Sequence, residues 1–365
     1  MSEWKVYKLG EVVTFGNGKE RPKDKGPIPV YGGNGILDYT DKYNYDDEII
    51  IIGRVGAYCG AVYYTNKPIW VSDNALAAKP KEGNHAKFIY YYLQNLNLND
   101  FAEGSSHPLV TQRLLNSIDV RIPNNIDEQH QIASFLSSLD DKIDLLNREN
   151  TTLEAMAEAL FRQWFIEEVK EDWEEGTIDM YANHYKESIN PQKQPTTMFW
   201  HYSIPAFDNG KKPIDEMGEE IQSSKYIISS NCILFSKLNP HKDKRVWLIL
   251  DNVSTNAICS TEFQIVKPKE KEYLFFLYGW LTNKENYEEI ASGVGGTSGS
   301  HQRIDPKSIF TFACPYVNID VIHEYNKVVE PLFLKQRENQ KQIIILTEQR
   351  DRLLPKLMSN EINIK

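Results

Sequence analysis

IDEQHQIASFLSSLDDKIDLLNRENTTLEAMAEALFRQWF, residues 126–165, decides the architecture of this 365-residue chain. Apolar residues fall at Ile132, Leu136, Leu139, Ile143, Leu146, Leu153, Ala157, Leu160 and Trp164. Their spacing alternates four and three, the period that keeps one helix seam against a partner helix. The strongly polar seam residue is Asn150. Asp127 is the expected N-cap, and the early acidic residues suit the positive end of the helix dipole. A seam this long must be covered, and the chain supplies a second helix to cover it. That stretch carries Leu332, Asn339, Ile343, Leu346, Leu353 and Leu357. Pro331 is expected at a first-turn position, splitting off a leading helix over about 320–330. Antiparallel pairing of two helices of about 40 residues gives a rod of roughly 60 Å with a globular module at each end. In that pairing Asn150 and Asn339 meet near the middle and fix register; otherwise each is a solvated edge residue.

Outward from the helix, the chain repeats itself. Trp4 in EWKVYKLGEV has a partner in Trp173 of DWEEGTIDMY, and EIIIIGRVG (48–56) in NCILFSKLNP (231–240). VSDNALAAKPKE (71–82) resembles VSTNAICSTEFQIVKPKE (253–270). SSHPLVTQRLLNSI (105–118) echoes SGSHQRIDPKSIF (298–310), and NREN (147–150) echoes QREN (336–339). The matches keep one order, so they mark duplicated modules rather than a short-period solenoid. Each half holds short strands such as EIIIIG, AVYYT and CILFS, bounded by Gly, Asn and Pro. Helices are expected over 86–96 and 272–282. The fold class is therefore α+β: two pseudo-repeat globular modules (1–126 and 173–318), separated by two long antiparallel coiled-coil helices (127–172 and 319–365).

Composition narrows the function. Net charge is -10, which argues weakly against nucleic acid, but the stretch 131–172 holds 4 basic and 10 acidic residues. The large segments are closer to balance, so either can carry a local basic face. Four scattered cysteines with no CxxC predict neither zinc nor a disulfide framework. The opening MSEWKVYKLGEVV lacks a basic-then-apolar start, and no apolar run reaches bilayer length, so the cytoplasm is the default compartment. A DNA adenine methyltransferase needs an Asn/Asp-Pro-Pro-aromatic loop, which LNPHK does not provide. Walker A and HExxH are lacking too. No catalytic residue and no metal site is predicted.

Two diverged modules on a rigid spacer suit the reading of two short sequences at a set distance on DNA. A separation of 40–60 Å spans roughly 12–18 base pairs. At this point the whole chain resembles the specificity subunit of a type I restriction–modification system. The resemblance is carried by residues 126–165, by QRENQKQIIILTEQRDRLLPKLMSNEI (336–362), by GRVGAYCG (53–60) with VSDNAL (71–76), and by SSHPLVTQRLLNSIDVRIP (105–123). It implies a non-catalytic chain whose two target-recognition domains each contact one half of a bipartite double-stranded DNA target. The helices would set the spacer and dock two methyltransferase subunits, with restriction subunits in the full complex. S-adenosylmethionine, ATP and Mg would belong to those partners.

The residues agree with a DNA-binding role. Lys19, Arg21, Lys23 and Lys25 lie in a Gly/Pro-flanked loop suited to phosphate contact. Arg54 sits between glycines after a strand, where it can pair with guanine. Ser72, Asn74, His107, Thr111, Gln112 and Arg113 complete that surface. In the second module the densest basic loop offers Lys237, His241, Lys242, Lys244 and Arg245. Asn256, Ser300, His301, Gln302 and Arg303 repeat the first pattern, and Asn and Gln favour adenine. Each also has a plainer reading: solvated loop lysines, satisfied turn histidines, and a Gln-Arg pair that ties module to helix. GVGGTSG (293–299) lacks the Gly-Lys-Ser/Thr ending of a phosphate loop. The alternative function is a coiled-coil interaction protein with two protein- or glycan-binding modules. A basic loop repeated in both modules favours DNA.

Overall fold

The computed structural model describes residues 3–104, 108–168, 173–250, 253–295 and 302–364. The first long helix is Ile126–Arg162, followed by a π-helical turn Gln163–Glu167; the second is Ile319–Met358. Both start at the same tripeptide, Asn-Ile-Asp. Asn125 Oδ1 accepts from the Asp127 N–H at 2.7 Å, and Asn318 Oδ1 from the Asp320 N–H at 2.9 Å. The cap is thus Asn125 rather than Asp127, two residues earlier than expected. Pro331 does not split the second helix, which runs through it unbroken. The ring removes one backbone hydrogen bond. Val329 and Phe333 on either side are buried in the module core, and that burial outweighs the loss.

The chain divides into two compact units: Met1–Asn147 with Gln340–Lys365, and Arg148–Asn339. Each globular module takes a portion of both long helices into its own core. In the first unit Ile132, Ala133, Leu136, Leu357 and Met358 join Ile50, Ile52, Leu76, Phe88 and Leu93. Asp140 accepts there from Arg350 Nη1 at 2.9 Å and from the Tyr91 hydroxyl at 2.6 Å. In the second unit Ala157, Phe161 and Phe165 pack with Ile322, Tyr325, Val329 and Phe333. In both units numbers rise along one helix as they fall along the other, so the pairing is antiparallel. Of the seam, Ile132, Leu136, Leu146 and Ala157 are buried and Leu139, Ile143 and Leu153 are half-buried; beyond Ala157 the burial passes to Phe161 and Phe165, while Leu160 and Trp164 are only partly covered.

Each unit builds the same four-stranded antiparallel sheet. In the first the order is Val13–Asn17, Ala75–Pro80, Ile49–Gly53, Val62–Thr65. In the second it is Ala182–Tyr185, Phe263–Pro268, Cys232–Ser236, Val246–Ile249. The unbroken apolar runs follow from burial on both faces. Ile50 and Ile52 face the helix-bearing core while Ile49 and Ile51 face a second cluster. Ile233 and Phe235, and Cys232 and Leu234, divide the same way. The second sheet differs: three strands in the first unit, five in the second. The extra strands fill the loop where the repeat offset grows. The helices expected in each module are Ala86–Asn95 and Tyr273–Thr282.

The structure brings Asn150 and Asn339 together. Asn339 is fully buried, and its Nδ2 donates to Asn150 Oδ1 and Glu149 Oε2, each at 3.0 Å. Gln336 Nε2 donates to the Asn150 carbonyl at 3.0 Å. Asn339→Leu leaves two acceptors against an apolar side chain, at a cost of about 1–3 kcal/mol. A double-mutant cycle with Asn150→Leu, read by denaturant unfolding, should show coupling. Additive single losses would mean that the pair does not act as a unit.

Candidate nucleic-acid interface

The two modules build the same cradle around a cation. After the strand Ile49–Gly53, Arg54 donates its N–H to the Asn74 carbonyl at 3.0 Å, and its own carbonyl accepts from Val110 N–H at 3.0 Å. After Cys232–Ser236, Lys237 donates to the Glu262 carbonyl at 3.0 Å and accepts from Ile304 N–H at 3.0 Å. The supporting turns match: Ala75 N–H to Ser72 O, and Phe263 N–H to Ser260 O, both 3.0 Å. The next residue bridges to its neighbour strand, Val55 to Leu109 and Leu238 to Arg303. One step on, the backbone enters the left-handed region, at Gly56 (φ 80°) and Asn239 (φ 48°). Gly and Asn are the residues that tolerate it. Two fixed backbone bonds at each cation therefore make a rigid mount for Arg54 and for Lys237.

This geometry corrects the echo read from the sequence. The equivalent positions are Arg54 and Lys237, Asn74 and Glu262, Leu109 and Arg303, and Thr111 and Asp305. Gln112-Arg113 and Gln302-Arg303 are not counterparts. The first pair opens the helix Gln112–Ser117, whereas Arg303 lies on the strand before the helix Pro306–Phe310. Thr111 Oγ1 caps the first of these helices by accepting from Leu114 N–H at 3.1 Å, and Asp305 caps the second by accepting from Lys307 N–H at 2.9 Å. Thr111 thus has a capping role in the fold. Gln112 is tied to the Asn17 side chain, 2.9 Å away. Asn256 is exposed but lies ahead of the strand Ala257–Cys259, where its carbonyl accepts from Trp200 N–H at 3.1 Å. It does not stand where Asn74 stands. Ser72 is 2% exposed and offers no surface hydroxyl, because its turn is folded under the strand ends. His107, Ser300 and His301, with the 296–299 part of GVGGTSG, lie outside the described residues.

The basic loops divide into free and engaged cations. Lys19 is anchored by its N–H to the Val71 carbonyl at 3.0 Å, beside Ser72–Asn74. The side chains of Lys19, Lys23 and Arg113 are exposed and have no partner among the described residues. Arg21 and Lys25 share Asp38, at 3.8 and 2.8 Å. Such exposed pairs are weak and yield readily to a phosphate. Arg54 Nε is buried without a hydrogen-bond partner among the described residues. In the second loop His241 and Lys242 are exposed and have no side-chain partner among the described residues. Lys244 and Arg245 are engaged by the fold instead. Lys244 Nζ donates to the Thr282 carbonyl, at the open end of the helix Tyr273–Thr282, and lies 5.7 Å from the Tyr287 ring centre. Arg245, with its side chain 11% exposed, donates to Asp208 at 2.7 and 2.9 Å and to Asp243 at 2.8 Å. Both side chains thus have partners within the fold.

The second cradle has a feature that residue reading missed. Arg303 donates through Nε and Nη2 to the two carboxylate oxygens of Glu262, at 3.1 and 2.7 Å. Burial holds the Lys237 ammonium below the usual lysine range; Glu262 opposes that shift, while Arg303 and Lys186 add to it. A signal for Glu262 was present. Counted back without gaps from the shared Lys-Pro, Glu262 stands as far from Pro268 as Asn74 does from Pro80. Among the described residues no cluster of His, Cys, Asp or Glu is placed to hold a metal, and no helix is long and apolar enough to cross a membrane.

Comparison with known proteins places this geometry. Residues 1–155 match the type I restriction modification DNA specificity domain. The chain is 25% identical over 347 residues to the type I restriction enzyme MjaIX specificity subunit of Methanocaldococcus jannaschii, covering 84% of this chain and 76% of that one. It is 28% identical over 151 residues to the EcoprrI specificity subunit of Escherichia coli, covering 41% of this chain and 36% of that one. A crystal structure of the type I restriction–modification S subunit from M. genitalium shares the fold, with a TM-score of 0.67 at 17% identity, over 98% of this chain and 96% of that one. The chain is similar to type I restriction–modification specificity subunits, with the family match confined to residues 1–155.

Proposed function

We propose that each globular module reads one half of a bipartite, asymmetric duplex DNA target. The two long helices set the spacer and dock two methyltransferase subunits, and restriction subunits join in the full complex. The chain itself is non-catalytic. S-adenosylmethionine, ATP and Mg act on the partner subunits, in the cytoplasm. The observation that supports this most is the cradle built twice with different side chains. One scaffold carries Arg54, Asn74 and Leu109; the other carries Lys237, Glu262 and Arg303. Equal mounts fix equal approach to a groove, and unequal side chains read unequal bases.

The test is to exchange residues 1–126 for the corresponding module of another specificity chain, with the modification subunits present, and to map N6-methyladenine. One half-site should change and the other persist. A change in both half-sites, or in neither, would refute the modular reading.

A further inference from the structure

We infer that Glu262 is a positioning residue that holds Arg303 for reading a guanine in the half-site of the second module. This rests on the proposed DNA-reading function and adds a residue and a base to it. The Arg303 side chain is 51% exposed and that of Glu262 24% exposed, so the pair lies at the surface. Exposed pairs add little stability, so the fold alone does not account for a two-bond geometry here. The carboxylate takes the side edge of the guanidinium, Nε and one Nη2 hydrogen. Among the described residues the end edge stays free, with both Nη1 hydrogens and the second Nη2 hydrogen. That is the edge which donates bidentately to guanine O6 and N7.

Two further features favour a base over a phosphate. The carboxylate repels a phosphate oxygen but not the neutral edge of a base. An arginine already held in plane loses less side-chain entropy on contact. The mount is also rigid, since Glu262 and Arg303 both flank Lys237 through backbone bonds at its N–H and next residue. The first module has Asn74 and Leu109 at these places, so it cannot make this reading from them.

The experiment uses the full chain with its modification subunits and a pool of duplexes randomised over the second half-site. Wild type should select guanine at one position there. Arg303→Ala should cut that preference about 10-fold and leave the first half-site untouched. Glu262→Gln should weaken the preference at the same position without shifting the unfolding midpoint by more than a degree or so. Arg303→Lys keeps the charge but loses the fork, so it should also lose the preference; it carries the test if Arg303→Ala does not fold. An even loss of affinity across all sequences, with a flatter salt dependence, would make Arg303 a phosphate contact and overturn the inference. Full preference in Glu262→Gln would overturn the positioning role. A wild-type complex that selects no sequence at all would refute the proposed function itself.

Discussion

Phe161→Ala should destabilise the second unit by about 4 kcal/mol, a typical cost for emptying a well-packed aromatic site. Phe161 is 1% exposed and is ringed by Phe165, Phe276, Trp280 and Tyr325, with ring centres 5.3, 6.4, 5.9 and 6.4 Å away. Its ring also lies against the Gly279 backbone; a Cβ built there would come within 2.2 Å of Phe161 Cδ2. The neighbours come from both long helices and from the helix Tyr273–Thr282, so they cannot all close on the space at once. The lost contacts would loosen the grip of the module on both helices together. Denaturant unfolding with a probe in the second unit measures the loss. Leu145→Ala, on the exposed side of the first helix, should change stability by no more than about 0.5 kcal/mol. A loss under about 1 kcal/mol for Phe161→Ala would mean that the module does not depend on this docking.

Much of this fold was legible because periodicity and repetition are long-range signals. Ile132, Leu136, Leu146 and Ala157 of the seam are buried as the spacing implies, and CILFS and EIIIIG read directly as central strands. Pro331 misled because its local cost is fixed, whereas the burial of Val329 and Phe333 around it depends on tertiary packing that no local rule sees. The interface was legible to a coarser grain. Arg54 and Lys237 stood out as cations after matching strands, and the structure mounts them alike. The Gln-Arg echo was a coincidence of letters: one pair opens a helix and the other leads into a two-residue strand. Lys244 and Arg245 looked like free loop cations because sequence gives charge but not partners. Thr282 is 38 residues from Lys244, and Asp208 is 37 from Arg245. Glu262 escaped notice because an acidic residue argues against DNA until its arginine is seen beside it.

Gly18→Ala should silence one half-site and spare the other. A Cβ at Gly18 would lie 1.8 Å from the Ser72 carbonyl oxygen, 2.4 Å from its carbon and 2.9 Å from the Val71 oxygen. All three are backbone atoms in a paired segment, so no rotamer change relieves the clash. The junction it would force apart holds Gly18 N–H to the Ala75 carbonyl at 3.2 Å and Lys19 N–H to the Val71 carbonyl at 3.0 Å. The same turn, through the Asn74 carbonyl, mounts Arg54. One methyl group thus displaces Lys19 and Arg54 together. Overpacking of this kind costs about 3 kcal/mol at the upper end of its usual range. Spent on the first module's contacts, that is roughly 100-fold in affinity. Gly56→Ala is the contrast: open space surrounds its Cβ and only the φ of 80° opposes it, so a loss of about 1–2 kcal/mol is expected. Base selection by the complex separates the outcomes. Loss of preference in one half-site, with the other intact, follows from a clash confined to the first unit. Equal loss in both would mean that the whole chain had unfolded. Unchanged selection would remove the Lys19–Ser72 junction from the reading surface.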